Sequence, residues 1–471
     1  MKKHIIEQSL IFFSVTKWVV LSSAIGVAIG AIVTFFLNTI HTSENLHTFL
    51  PFPPHYLLPF GLVITVFLIS KFAPNATGHG TEKVIEAVHK HDGKIDFAVI
   101  PIKLVATVIT IVTGGSVGKE GPGAQIGAGF ASFVSQIFKF SALDRKKLVI
   151  CGISAGFASV FGTPISGAIF GVEVLIVGII MYDVLLPSFI AGFAAYTTAK
   201  LLGVNYTYYH LQFGTGIPFD IVLVSEVILA GLFFGLVSYF LISVLRRTEL
   251  SIKNIPMNPY KKAFLGGSFL VLLSFFIGDE YFGLGLDTIS TLFYSDPQLS
   301  EHVPWYAFIA KTFYTSVTLG AGGSGGVITP IFYVGATSGH LFGTLLGDHY
   351  ALFAALGLTS VLAGTTNAPI AATIMAVELF GIEIAHYAAI SAVITFLITG
   401  HRSVFQSQIL QMSKSDMLNI DYGDNITKSS VDASSKSKEK MQKFKNRFKR
   451  KKVKKDEETK IESIQTNKEQ K

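Results

Sequence analysis

Three glycine-rich segments carry the groups in this sequence that are best suited to bind a ligand. Residues 78–82 read GHGTE, residues 114–122 read GGSVGKEGP and residues 322–330 read GGSGGVITP. Each precedes a stretch predicted to be helical, and the first N–H groups of a helix are unpaired and carry a partial positive charge. Because glycine lets the backbone approach a ligand closely, several such helix ends could together bind an anion without a fixed cation. The alternative is that these glycines only allow close helix packing.

The composition predicts that these segments lie in a membrane. Hydrophobic residues make up 50% of the 471 residues and charged residues 15%, with 44 Gly and 40 Phe, whereas a soluble protein carries about 25% charged residues. Residues 19–37 are apolar and long enough to span a bilayer, so we expect a retained first membrane helix rather than a cleaved signal peptide. The single cysteine, Cys151, excludes an intrachain disulfide and is predicted to pack in the core.

Apolar segments recur along the chain to about residue 399, and several are too short or too glycine-rich to be simple spans. Irregular backbone at membrane depth survives only when it is buried in protein or lines a cavity, so interrupted segments indicate a transport site. The loops at 139–147 and 246–262 and the stretch 436–455 are basic, and the positive-inside rule places them, with both termini, on the cytoplasmic side.

The chain contains an internal repeat. Residues 152–175 align with 357–380 without gaps at an offset of 205, and the glycine-rich segments ending at Pro122 and Pro330 are offset by 208. The first alignment pairs Gly152 with Gly357, Pro164 with Pro369 and Glu173 with Glu378. Interrupted segments at corresponding positions of two halves are typical of transporters, with the site between the halves. For Glu173 and Glu378 we predict a structural role, accepting backbone N–H bonds in both halves.

Glu120 is the residue predicted to do the chemistry. An ionisable group in a membrane segment is costly, so its presence indicates a function. The alternative is that Glu120 is exposed in a loop beside Lys119. No His, Cys or carboxylate spacing suggests a metal site, and Gly118-Lys119 lacks the spacing of a nucleotide-binding P-loop.

With these motifs the chain resembles the CLC family of chloride channels and proton–chloride exchangers, in its bacterial form without regulatory C-terminal domains. Residues 118–122 (GKEGP) resemble the family signature G-(K/R)-E-G-P, residues 325–330 are similar to G-G-x-F-x-P, and residues 78–80 resemble the start of G-S-G-x-P. The resemblance covers roughly residues 10–412. It implies an all-α polytopic membrane protein with two inverted-topology repeats of tilted and re-entrant helices, assembled as a homodimer with one anion pathway in each subunit.

The resemblance also assigns roles to individual residues. Glu120 is expected to be the gate, whose carboxylate occupies the outer anion site and leaves it when protonated or displaced. The expected anion-binding residues are His79, Gly80, Gly118, Lys119, Glu120, Gly121, Val327, Ile328 and Phe405. His79 stands where the family has serine and Phe405 where it has tyrosine, so coordination is expected to depend more on the backbone of Val327 and Ile328. The alternative for His79 is that it only caps a helix beside the inner vestibule.

A third departure concerns the mechanism. Val174 follows Glu173 where proton-coupled members carry a second glutamate, and valine cannot carry a proton. We therefore predict passive, channel-like anion conduction, with proton-coupled exchange as the alternative. Because Pro122 is present, chloride is preferred over fluoride as the substrate. A remote alternative is an intramembrane serine protease, in which Ser324 is the nucleophile and His386 the base; otherwise the sequence predicts no enzyme.

The predicted domain organisation is a transmembrane domain at 1–412, with repeat halves at about 10–203 and 219–412, followed by a cytoplasmic tail at 413–471. Residues 436–455 hold twelve Lys or Arg and one Glu. We predict that this polar tail is disordered and attracts anionic lipid, at roughly 1 kcal/mol per basic residue near the surface. Since the positive charge belongs to the tail, it does not indicate nucleic-acid binding, and no cofactor is expected.

Overall fold

The computed structural model describes residues 2–45, 50–209, 220–293, 303–347, 349–429 and 431–433. It is almost entirely helical. The first half of the chain forms α1 Lys2–Asn45, α2 Leu58–Phe72, α3 Thr81–Lys90, α4 Val99–Val112, α5 Glu120–Ile137, α6 Ala142–Phe161, α7 Pro164–Glu173 and α8 Tyr182–Leu201. Short 3-10 turns at Pro54–Leu57 and Pro74–Ala76 precede α2 and follow it.

The second half repeats this order of helices. It forms α9 Ile221–Asn254, α10 Pro259–Ile277, α11 Leu286–Thr291, α12 Ala307–Gly320, α13 Ile328–Leu346, α14 Tyr350–Thr366, α15 Pro369–Phe380 and α16 Ala385–Thr399, with a 3-10 turn at Ile382–Ile384 before α16. In both halves a helix that starts at a glycine-rich segment, α5 or α13, packs along the helix that follows it. The expected all-α fold of interrupted helices is confirmed.

Six helices among the described residues are long and apolar enough to cross a membrane. The predicted first span, residues 19–37, lies inside α1, which has 44 residues and is therefore about 66 Å long at 1.5 Å per residue. That is about twice the hydrocarbon thickness of roughly 30 Å, so α1 extends beyond the bilayer. The Nζ atoms of Lys17 and Lys147 lie 5.3 and 5.6 Å from the centroid of the Trp18 ring, and such an aromatic residue is typical of the membrane interface.

The repeat residues Glu173 and Glu378 join the two halves reciprocally. The carboxylate of Glu173, at the end of α7, accepts the backbone N–H groups of Ile370 and Ala371 at 3.1 and 2.8 Å. The carboxylate of Glu378 accepts those of Ile165 and Ser166 at 2.9 and 2.8 Å. Each glutamate thus satisfies the N-terminal donors of the opposite half's helix, α15 or α7. The predicted structural role of this pair is confirmed.

Some of the repeated glycines serve packing rather than ligand binding. A Cβ atom on Gly152 of α6 would lie 2.6 Å from the carbonyl oxygen of Gly127 in α5, and one on Gly357 of α14 would lie 2.2 Å from that of Gly335 in α13. Only glycine allows the backbones to come this close. The packing explanation of the glycine pattern therefore holds at these positions, which lie outside the three glycine-rich segments.

The last described residues fold against the helices. Ile176–Val177 (β1) pairs in parallel with Ile409–Leu410 (β2), and Leu418–Ile420 (β3) pairs antiparallel with Val431–Ala433 (β4). Lys414, which is beyond the predicted domain limit at 412, donates to the side chain of Asn367 at 2.6 Å and to the carbonyl of Phe396 at 2.7 Å. The basic stretch 436–455 lies outside the described residues.

Candidate anion pathway and its gate

The second and third glycine-rich segments meet face to face. The N–H of Gly118 donates to the carbonyl of Gly326 at 2.7 Å, and the N–H of Gly326 donates back to Gly118 at 2.6 Å. This isolated bridge brings together the start of α5 at Glu120 and the start of α13 at Ile328. The N-termini of α5 and α13, one from each half, therefore lie side by side in the interior, with their unpaired N–H groups and positive dipole ends close together.

The Glu120 side chain occupies this place. It is 1% exposed, and one carboxylate oxygen accepts the backbone N–H of Thr329 at 3.2 Å. The other accepts the Thr329 hydroxyl in a short hydrogen bond. Since Thr329 is the second residue of α13, the carboxylate lies at a helix N-terminus, which is where a bound anion would be stabilised. The alternative of a loop-exposed glutamate is wrong.

The first glycine-rich segment reaches the same place from α3. Gly80 precedes α3 with φ of 45°, and a Cβ atom there would lie 2.3 Å from the carbonyl oxygen of Gly121. A Cβ atom on Gly121 would in turn lie 3.0 Å from the Cα of Gly326 and 3.2 Å from the carbonyl oxygen of His79. All three segments therefore converge around Gly121. That they bind an anion there stays a prediction.

Two buried lysines hold the turns beside this centre, and the sequence reasoning missed both. Lys103 of α4 donates to the carbonyls of Ala76 at 3.1 Å and Gly78 at 2.7 Å. Lys311 of α12 donates to those of Tyr281 at 3.0 Å and Gly283 at 2.8 Å. Both side chains are 0% exposed. The two lysines are 208 residues apart, which is also the offset between Pro122 and Pro330 in the repeat. Their occurrence at equivalent positions of the two halves is the sequence signal that could have identified them.

A cavity of about 600 Å³ opens beneath the first segment, on the predicted cytoplasmic side. It is bordered by the C-terminal turns of α9, the start of α10 and the turns at 320–323 and 403–406. The ionisable residues that line it are His79, Glu82, Lys83, Arg246, Glu249, Lys253 and Lys262. With four cations against two carboxylates, the cavity wall attracts anions. The Nδ1 atom of His79 is buried with no hydrogen-bond partner among the described residues.

The remaining predicted site residues lie at the starts of α5 and α13, in the turn at 403–406 and at the C-terminal end of α7. Lys119 is half-buried at the N-cap of α5, and Val327 and Ile328 are buried at the start of α13. Phe405 is fully buried, and its N–H donates to the Ser403 hydroxyl at 3.0 Å; Ser403 lines the cavity. Val174 is buried, and its carbonyl accepts the Gln408 side chain at 2.7 Å.

Nothing in this arrangement supports a serine protease. The Ser324 hydroxyl is fully buried and makes its hydrogen bond with the Thr107 hydroxyl at 3.1 Å, and a hydroxyl is not a general base. The predicted base, His386, lies in α16 with its ring centroid 4.1 Å from that of Tyr387. Within the described part of the chain, no three His, Cys, Asp or Glu residues are grouped so that they could hold a metal ion.

Comparison with known proteins agrees with the fold. The family described as "Voltage gated chloride channel" matches residues 60–400. A "Chloride/fluoride channel protein" of Pseudomonas syringae pv. tomato is 32% identical over 410 residues, which are 85% of this chain and 88% of the relative. The crystal structure of a CLC-type fluoride/proton antiporter aligns with a TM-score of 0.79 and 28% identity, covering 85% of this chain and 99% of that one.

A more distant structure, a slow cyanobacterial Cl⁻/H⁺ antiporter, aligns with a TM-score of 0.70 and 20% identity over 81% of this chain and 94% of that one, which shows the shared fold. The matched range contains all three glycine-rich segments, Glu120 and the two repeat glutamates. This chain is therefore a multi-pass membrane protein that belongs to the voltage-gated chloride channel (CLC) family of anion transport proteins.

Proposed function

We propose that this chain carries chloride across the cell membrane through a pathway gated by Glu120, one pathway in each subunit of a homodimer with cytoplasmic termini. The observation that carries the proposal is the position of the Glu120 carboxylate, held by Thr329 at the N-terminus of α13. A carboxylate there competes with a permeating anion for the same donors. Protonation would remove its charge and release the site to the anion.

Passive conduction is the proposed mode of transport. Val174 lies buried where proton-coupled members carry a second glutamate, and valine offers no group that binds a proton. Proton-coupled exchange is the alternative, and the fluoride/proton antiporter structure with 28% identity favours it. The two modes differ in one measurable property, because an exchanger drives protons uphill when a chloride gradient is imposed and a passive pathway does not.

Fluoride is the second candidate substrate. The P. syringae relative bears both chloride and fluoride in its name, and the structure aligned at 28% identity is that of a fluoride/proton antiporter. Against this, Pro122 keeps the G-(K/R)-E-G-P signature of chloride transport. Competition decides between the substrates: chloride efflux measured in the presence of equal fluoride would show which ion the pathway prefers.

The decisive experiment reconstitutes the purified full chain in liposomes and records anion efflux and internal pH together. The native protein should release chloride faster as the external pH falls. Glu120→Gln imitates the neutral carboxyl permanently, so it should release chloride at least as fast and lose most of the pH dependence. A Glu120→Gln protein with native flux and a native pH response would remove Glu120 from the gate.

A further inference from the structure

Glu82 is a partly buried carboxylate that the proposed mechanism leaves without a role. It lies in the first turn of α3, two residues after Gly80, where the G-S-G-x-P pattern has proline. Its carboxylate accepts the Ser407 hydroxyl at 2.7 Å and the Ser407 backbone N–H at 3.2 Å. Glu82 also lines the inner cavity, so the same carboxylate faces water on the predicted cytoplasmic side.

Glu82 is connected through one segment of the chain to Val174, the position that lacks a proton-binding side chain. Gln408, which follows Ser407, donates to the carbonyl of Val174 at 2.7 Å. His89, seven residues after Glu82 and therefore on the same face of α3, contacts the carbonyl of Leu175 through Nε2 at 3.0 Å. Glu82 is therefore linked to the backbone of Val174 through Ser407 and Gln408, and His89 contacts the backbone of the next residue, Leu175.

The start of α3 contacts the segment that carries the gate. Gly80 touches the backbone of Gly121, which adjoins Glu120. Between the cavity and this contact lies His79, whose carbonyl also approaches Gly121 and whose Nδ1 has no partner among the described residues. An imidazole can accept a proton on one nitrogen and release one from the other, so His79 can connect a cavity-facing carboxylate to the gate.

We propose that Glu82 is the proton-binding residue through which Glu120 exchanges protons with the cytoplasmic side, taking the place of the carboxylate absent at Val174. A proton passes from cavity water to the Glu82 carboxylate, then through His79 or water to Glu120, and each donor is left deprotonated for the next proton. The inference rests on the proposed gating role of Glu120 and adds a cytoplasmic pH response to it.

Charged groups on every neighbouring element bear on this response. Lys103 of α4 acts on His79, and Lys146 of α6 acts on His89. The other charged groups lie on α3 or line the cavity with Glu82: Lys83, Glu86 and Lys90 on α3, Arg246, Glu249 and Lys253 on α9 and Lys262 on α10. Glu86 is a matched control for Glu82, being one turn along the same helix. Hydrogen bonds from Lys83 and Lys90 lower the pKa of Glu86 to about 2, so it stays ionised at any pH near neutral.

The test measures uptake of radiolabelled chloride into membrane vesicles of defined orientation that carry the full chain. In inverted vesicles the bath reaches the cytoplasmic face, and in right-side-out vesicles it reaches the outer face. Native flux should rise as bath pH falls in both. Glu82→Gln should lose the response in inverted vesicles and keep it in right-side-out vesicles, whereas Glu86→Gln should keep a pH response in both, with a displaced midpoint at most, because Glu86 acts on Glu82 only through its charge.

Ser407→Ala keeps the carboxylate and removes one donor to it, so it provides a second readout should Glu82→Gln fold poorly. Because a donor stabilises the ionised form, its removal should shift the midpoint of the cytoplasmic response to higher pH. A native cytoplasmic response in Glu82→Gln, or an unshifted one in Ser407→Ala, would overturn the inference and leave the gate intact. An unchanged pH response of Glu120→Gln on both faces would instead overturn the proposed function.

Proton movement gives one further distinction. If native vesicles drive protons uphill under a chloride gradient and Glu82→Gln abolishes this movement, the inference is supported and passive conduction is refuted. If vesicles with the native protein move no protons uphill, and vesicles with Glu82→Gln have lost the cytoplasmic pH response, both the inference and passive conduction are supported.

Discussion

Replacing Thr329 by valine should open the gate without changing Glu120 itself. In the structure Thr329 supplies both donors to the Glu120 carboxylate, its backbone N–H at 3.2 Å and its hydroxyl. Valine has a similar shape, keeps the N–H and removes the hydroxyl. The closed position of the carboxylate therefore loses one of two hydrogen bonds, while the protonated or displaced position loses nothing.

The expected size follows from the kind of bond. A hydrogen bond to a charged group contributes about 1.5–3 kcal/mol, and since each 1.36 kcal/mol is a factor of ten, the closed state should be disfavoured by about 10- to 150-fold. Glu120 and Thr329 are both buried, with Glu120 1% exposed. Their hydrogen bond should therefore contribute a free energy in this range rather than the roughly 0–1 kcal/mol typical of exposed charged pairs. Chloride flux should rise by this factor until it reaches that of Glu120→Gln, in which no charged gate remains.

Chloride efflux from proteoliposomes at neutral pH, normalised to the amount of incorporated protein, measures this change. Thr337→Val is the matched control, because Thr337 lies in the same helix, is 3% exposed and bonds only within α13, to the carbonyls of Tyr333 and Val334. It should keep native flux. If Thr329→Val also keeps native flux and pH response while Glu120→Gln changes both, the Thr329 contact does not hold the gate closed and the reasoning is refuted.

Three further predictions concern other parts of the chain. Phe405→Tyr should add a hydroxyl near the anion site expected at the backbone of Val327 and Ile328 and tighten anion binding by about 0.5–1.5 kcal/mol, and unchanged affinity by calorimetry would show that Phe405 does not face the anion. Glu173→Ala and Glu378→Ala should each lower thermal stability in detergent, by about 1–3 kcal/mol for the two N–H groups left without their carboxylate partner; a native melting midpoint would contradict the capping role. Truncation after residue 433 should keep dimerisation and flux but weaken binding to anionic vesicles, and dissociation to monomers on gel filtration would count against it.

Much of the architecture could be predicted from the sequence because it depends on local chemistry. Apolar composition requires a membrane fold, and glycine followed by an apolar run predicts a helix start, as found at Glu120 and Ile328. The repeat predicted that Glu173 and Glu378 would play equivalent parts, since a shared offset implies a shared place in each half. The helix limits were less predictable: the apolar stretch 148–181 became α6 and α7, separated at Gly162 and Pro164.

The partners across the pathway could not be read from the sequence. Gly118 and Gly326 exchange hydrogen bonds over a separation of 208 residues, and Glu82 reaches Ser407 over 325. Local propensity carries no information on such pairs, because the same glycine or carboxylate would form a similar turn or helix cap beside any neighbour.

What the sequence by itself determined, then, is the set of groups available: free helix ends, one carboxylate in the signature segment and two equivalent halves. What only the tertiary structure decided is which groups meet. It placed Thr329, whose residue type predicts nothing special, against the Glu120 carboxylate, and it placed two lysines against the turns that border the pathway. The physical reason is burial. A polar group removed from water needs a hydrogen-bond partner, and the packing of distant segments decides which group is close enough to serve.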